Sequence, residues 1–247
     1  RLLIEPYSIL QLEIEYTIAA ETSKIPAVNS VVELIGRGVT KYTDLVNGLT
    51  TKNGSKVNPD YLIKKLIDLE IIEKVVPINE KGNKKKIFYR FHDNLMEFYY
   101  RYIYRNKNMN SVLSADNFYS EVIAADLREQ YLPTKFEGIS KEFLIRANKA
   151  NRISPLIYEI GTYSFDDARN KINRQFDVVT LDKIGYISYE CKYTDKPVGN
   201  AVINEEVYQC ASSNLSFYRL GFISKSGFTD DVDRSKYNLF ELSEFYL

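Results

Sequence analysis

The chain has 247 residues, 45% of them hydrophobic and 27% charged, enough for one large or two modest globular domains. Its formal net charge of +0 excludes a generic polyanion binder, so any nucleic-acid surface has to come from local segregation of charge. The two cysteines, Cys191 and Cys210, exclude a disulfide framework and a zinc site and suit a reducing cytoplasm, while no apolar run reaches membrane-span length and no signal peptide is visible.

The chain opens on Arg1-Leu2-Leu3 rather than Met, as a piece of a longer protein would. Residues 1–35 read as a helical lead-in, with Ile9, Leu10, Ile14 and later Val28, Val31, Val32 and Ile35 at helical spacing. Thr40 is placed to cap a short helix over 41–49, and a loop follows over 51–56. Asn58-Pro59 opens a second helix, Asn as cap and Pro at the first helical position, with Leu62, Ile63 and Leu66 inward and Lys64 and Lys65 outward. A strand over 71–78, a turn over 79–86 and a return strand over 87–91 complete a winged-helix pattern across residues 36–92.

Charge segregates in that region. Between Arg37 and His92 there are twelve basic residues against six acidic ones, within a neutral chain. Lys81, Lys84, Lys85 and Lys86 sit at the wing tip, and with Lys64 and Lys65 on the second helix they suit contact with DNA phosphates. A solvated lysine loop, or a protein-docking winged helix, is the plain alternative. No Arg, Asn or Gln stands out on the second helix for base readout, so binding would be phosphate-directed.

The aromatic-rich helix over 91–106 reads as a connector and 107–116 as a linker, so that residues 93–116 join two domains. The second domain spans 117–247. Its elements are helices over 118–127 and 136–149 (Phe136, Ile139, Phe143 and Leu144 inward), a strand over 156–161 and a polar loop over 164–174. A hairpin follows, then a helix around 201–213, a strand over 217–224, a capped helix start at Thr229-Asp230-Asp231 and a last strand over 239–242. Lys225 and Ser226 could hold a phosphate, although an ordinary turn explains them as well.

The hairpin carries the chemistry. Strands over 176–181 and 185–193 flank the bend Asp182-Lys183-Ile184-Gly185. A turn centred between Lys183 and Ile184 puts Asp177 opposite Glu190, with Cβ atoms roughly 5 Å apart. Lys192, two residues on from Glu190, points to the same face, and Cys191 to the other. Two facing carboxylates repel unless a cation lies between them, and a hard divalent ion, magnesium or manganese, satisfies both while leaving positions for water and phosphate. The ammonium of Lys192 would then hold the attacking water or stabilise the charged phosphorane. A Glu–Lys pair on a solvated strand face is the alternative.

These residues resemble the Asp…Glu-x-Lys signature of PD-(D/E)XK nucleases, and helix, three strands, helix, strand is the αβββαβ core of that superfamily. The expected fold is therefore α+β, a winged-helix domain followed by a restriction-endonuclease-like domain. Tyr61–Leu66 and Leu69–Glu73, RFHDNLMEFYY from Arg90, Phe136-Glu137, Phe176–Val179, Glu190–Tyr193 and ISKSGFTDD from Ile223 further resemble the C-terminal half of an archaeal and bacterial ATPase family. In that family an AAA-type module precedes a winged helix and a domain of unknown function. The resemblance implies an ATPase module in cis, a DNA-binding module and a nuclease-like domain, with Glu137 as a further acidic metal ligand. A solvated helix residue is the equal alternative for Glu137. Gln175 stands two before Asp177, where relatives often carry an acid. No GxxxxGK[ST] loop occurs in this chain. The superfamily also includes inactivated folds, so a catalytically silent DNA-binding or protein-docking module is the competing expectation.

Overall fold

Apolar residues at helical spacing fold the first part of the chain into helices α1 (Ile9–Thr22), α2 (Val28–Gly36), α3 (Tyr42–Gly48) and α4 (Asp60–Asp68). The structure is a computed structural model that describes residues 2–22, 28–49, 58–167, 172–212 and 217–246. The loop expected over 51–56, with Lys52 and Lys56, lies outside the described residues. The Asn58 side chain accepts from the Asp60 amide at 2.9 Å, so Asn58 does serve the start of α4, one residue later than expected. Thr40 does not cap α3, whose boundary residue is Lys41.

Two units divide the chain, residues 1–75 with 83–126 and residues 76–82 with 127–247. In the first, α1–α4 bury Ile14, Val31, Val32, Leu45 and Leu66. The hairpin β1 (Ile72–Val75) and β2 (Phe88–Phe91) pairs antiparallel, Ile72 opposite Phe91 and Val75 opposite Phe88. The first wing strand thus ends three residues short of the expected Ile78. Pro77 lacks the N–H that would continue the ladder, and residues 76–82 fold with the second unit. There Ile78 donates to the Thr162 carbonyl at 2.8 Å, and Asn79 exchanges hydrogen bonds with the Ser164 backbone at 2.8 and 3.0 Å.

The expected connector and linker are packed helix. α5 (Asn94–Phe98), capped by the Asp93 side chain, runs through a π-helical turn, Tyr99–Ile103, and a 3-10 turn to α6 (Lys107–Val112). Tyr99, Tyr100, Tyr102 and Ile103 are buried. Short helices α7 (Ala115–Phe118) and α8 (Ala124–Asp126) follow, and Asp126 accepts two bonds from Arg101 at 2.6 and 2.8 Å and one from Tyr102 at 2.6 Å. The units therefore divide after Asp126 rather than at residue 116, and the helical lead-in belongs to the first of them.

The second unit is built on a sheet. α9 (Leu132–Lys149) precedes β3 (Glu159–Asp167), β4 (Ile172–Leu181) and β5 (Tyr186–Lys192); α10 (Asn200–Ser212), β6 (Phe217–Ser224) and β7 (Asn238–Glu241) follow. Strand order is β3-β4-β5-β6-β7, antiparallel through β5 and parallel beyond it. Period-two alternation sends Val178, Ile187, Tyr189 and Ile223 to one face, where α9 covers them with Phe136, Phe143 and Leu144. Phe222 and Leu239 go to the other face, under Ile203 and Val207 of α10. The class is mixed α+β. Among the described residues no helix is long and apolar enough to cross a membrane.

Several expectations shift here. Ile139 is 47% exposed rather than core, because the inward stripe of α9 runs through Phe136, Ser140, Phe143, Leu144 and Ala147. Of the polar loop expected over 164–174, residues 164–167 and 172–174 lie in strands, with Ser164 opposite Gln175 and Asp166 opposite Asn173, because ladder hydrogen bonds outweigh their low strand propensity; residues 168–171 lie outside the described residues. Thr229–Asp231 is a turn rather than a helix start, since the Thr229 hydroxyl goes to Asp231 and the Asp231 carbonyl takes Asn200 at 2.6 Å. The last strand begins and ends one residue earlier than expected.

Gly221 on β6 is needed for packing. It lies opposite Tyr189, and a Cβ at Gly221 would run into the Tyr189 ring, which is buried and bonded to Asn238 at 3.2 Å. Gly221→Ala is expected to lower stability by about 1–3 kcal/mol, read as a lower urea midpoint. An unchanged midpoint would mean that the ring can move aside.

Candidate functional site

The turn joining β4 and β5 fixes where every residue of the hairpin points. Asp182 is buried, and its carboxylate accepts from the amides of Ile184 at 2.7 Å and Gly185 at 3.2 Å and from the Tyr218 hydroxyl. Burial alone would raise this carboxyl, but those hydrogen bonds outweigh it and hold it below the ordinary range. An Asx turn so tied centres the bend between Lys183 and Ile184. The ladder follows: Leu181 pairs with Tyr186, Thr180 with Ile187, Val179 with Ser188 and Val178 with Tyr189. The ladder ends there, one pair short of Asp177 and Glu190, and on its other edge β4 is irregular against β3 between the pairs Val179–Gly161 and Phe176–Tyr163, the stretch that holds Asp177.

Glu190 belongs to the α10 face of the sheet, because it lies opposite Phe222 of that face and its neighbours Tyr189 and Cys191 belong to the α9 face. Asp177 is exposed, and its Oδ1 accepts from Gln175 Nε2 at 3.0 Å. Glu190 is half-buried. Burial lifts its carboxyl above the ordinary range; Lys192 pulls it down, and the negative charges of Glu206 and Asp177 push it up. Lys192 Nζ lies 2.8 Å from Glu190 Oε1 and 3.0 Å from Glu206 Oε1. Burial would depress the ammonium, but these two ion pairs outweigh it and raise its pKa.

Glu206 was not singled out in the sequence. It sits on α10 three residues after the fully buried Ile203, so a carboxylate shares the stripe that packs on the sheet. A charge on an apolar stripe was the signal available. Ser224 is level with Lys192 on β6, and its buried hydroxyl has no hydrogen-bond partner among the described residues.

Glu137 takes a different place. It lies on α9, the helix that covers the opposite face from Glu190 and Lys192. Among the described residues no three of His, Cys, Asp and Glu are placed to hold a metal ion together, and the negative charges of Glu137, Glu190 and Asp177 all reach the Cys191 thiol. Cys191 packs in the α9 core, and burial pushes its thiol well up. Lys225 pairs with Asp195 at 2.6 Å and lies over the Tyr193 ring, while Ser226 donates to the Thr194 carbonyl at 2.6 Å, so these residues make a turn rather than a phosphate cradle.

Of the basic residues expected on the winged region, Lys64, Lys84 and Lys85 are exposed and Lys65 and Lys86 half-exposed. Lys84–Lys86 form a 3-10 turn whose Lys85 amide is held by the Asn83 side chain at 3.1 Å. Lys81 departs from the set: its ammonium pairs with Glu159 of β3 at 2.5 Å, because residues 76–82 fold with the second unit.

Residues 99–206 match a family described as archaeal and bacterial proteins of unknown function, a stretch that includes Asp177, Glu190, Lys192 and Glu206. An uncharacterized protein of Methanocaldococcus jannaschii is 34% identical over 156 residues, covering 63% of this chain and 34% of that protein. The chain thus aligns with about a third of that relative's length. A Vibrio cholerae protein of known crystal structure aligns at 11% identity and TM-score 0.32, over 99% of this chain and 54% of that one.

Proposed function

We propose that this chain is the DNA-binding, magnesium-dependent phosphodiester hydrolase region of an archaeal-type ATPase, with a winged-helix first unit and a PD-(D/E)XK-like second unit. The observation that carries this reading is that the Lys192 ammonium lies 2.8 Å from Glu190, a carboxyl that also feels the negative charge of Asp177. The donor set suits magnesium or manganese: Asp177 and Glu190 would supply two carboxylate oxygens, and such ions keep water in the remaining positions. The orphaned Ser224 hydroxyl beside Lys192 is a polar contact for that water. When bound, the ion would supply charge neutralisation on the phosphate and an acidified water. Lys192 would hold that water or face the developing negative charge. The ATPase module in cis follows from the family resemblance, and both cysteines being free suits a reducing cytoplasm.

Incubation with plasmid and linear DNA tests this reading. Cleavage is expected with magnesium and not with a chelator, and intact DNA in both would remove it. DNA binding is expected to follow phosphate contacts by Lys84, Lys85 and Lys86. Replacing all three by Ala should flatten the slope of log affinity against log salt by about 2–3, measured by fluorescence anisotropy. An unchanged slope would place the contact elsewhere.

One observation favours a second reading, a silent nuclease-like scaffold that binds DNA or docks a partner. Lys192 already satisfies two carboxylates, a resident cation where the first reading needs a metal. That reading expects DNA affinity with no dependence on magnesium.

A further inference from the structure

Lys192 is held from two sides, and only one of the holders lies in the hairpin. Glu190 is on its own strand; Glu206 comes from α10, with 17% of its side chain exposed against 24% for Lys192. Two carboxylates, Glu190 and Glu206, hold one ammonium, and Glu190 feels the negative charge of Glu206 and of Asp177. If Glu190 is engaged elsewhere, Glu206 is the acceptor that remains. We infer that Glu206 is a positioning residue, which fixes the Lys192 ammonium over the sheet face so that Glu190 is available to a divalent cation. The catalytic half of this inference rests on the nuclease reading; the hold on Lys192 does not.

The geometry favours it on three counts. The Lys192–Glu206 bond is charge-assisted and half-buried, so it is screened less than a surface pair. Ile203 anchors α10 in the core one turn before Glu206, so the carboxylate is carried on a rigid element. Lastly, a lysine with four rotatable bonds needs an acceptor besides Glu190 to stay in one place when that carboxylate turns to an ion.

The test uses the whole chain and the variants Glu206→Ala and Glu206→Gln, each first checked for an unchanged thermal midpoint. The direct readout is the Lys192 side-chain ammonium signal in proton–nitrogen NMR, which is visible only when hydrogen bonds hold the group against exchange with water. Wild type should show it, Glu206→Ala should lose it, and Glu206→Gln should recover it in greater part. In magnesium-dependent cleavage, kcat should fall roughly 10–100-fold for Glu206→Ala, with KM for DNA unchanged and partial rescue in Glu206→Gln. A Lys192 signal that persists in Glu206→Ala overturns the inference. A wild type that shows the signal but never cuts DNA overturns the nuclease reading and leaves the hold itself supported.

Discussion

Lys192→Ala is expected to reduce magnesium-dependent DNA cleavage by about 10²–10³-fold in kcat. The half-buried ammonium sits 2.8 Å from Glu190, a carboxyl that also feels Asp177, where water is partly excluded and a fixed positive charge acts more strongly than in bulk solvent. Alanine removes that charge and also leaves Glu190 and Glu206 to repel each other, which would draw in a metal ion more readily. The expected pattern is therefore divided: turnover falls while the magnesium concentration for half-maximal rate stays the same or drops. Single-turnover cleavage across a magnesium series measures both. A rate unchanged by the substitution would take Lys192 out of the chemistry and leave it as a structural ion pair.

The second large effect concerns stability and does not depend on function. Phe143→Ala is expected to destabilise the second unit by about 3–5 kcal/mol. The Phe143 ring is buried between α9 and the sheet, stacked on Phe245 at 4.4 Å with planes 7° apart and edge-on to Phe240 at 5.2 Å. Phe136 stacks on the same Phe245 ring at 6.0 Å, so one truncation opens a gap beside two other aromatics. With unfolding slopes of about 1–3 kcal/mol per molar urea, the midpoint should drop by roughly 2 M. A drop under half a molar would mean that neighbouring rings collapse into the space. Global stabilities of 5–15 kcal/mol are typical, so a loss of this size removes a large share of the margin.

The hairpin shows how far sequence reasoning reaches. Asp182-Lys183-Ile184-Gly185 has turn chemistry of its own, and alternation along each strand assigns faces without reference to the rest of the molecule. Those two local facts were enough to set the register from Leu181–Tyr186 to Val178–Tyr189 and to separate Cys191 from Lys192, but the ladder ends one pair short of Asp177 and Glu190, where β4 is irregular against β3. Helix spacing likewise located α2, α3, α4, α9 and α10 to within a few residues, because an apolar stripe at period 3.6 is a property of the segment itself.

What alternation cannot say is which element will cover a face. Glu137 and Glu206 both occur on helices with an apolar stripe, and nothing in either segment tells which helix lies over Glu190. Packing decided it: α10 took that face and brought Glu206 to 3.0 Å from Lys192, while α9, the helix of Glu137, took the other. The same limit applies to Lys81, one more wing lysine in the sequence but an ion-pair partner of Glu159 in the structure, 78 residues along the chain. The sequence by itself determined the turn, the two strand faces and the runs of charge, because these depend on near neighbours. The tertiary structure alone decided which carboxylate completes the lysine's surroundings, because that depends on burying one helix rather than another against the sheet.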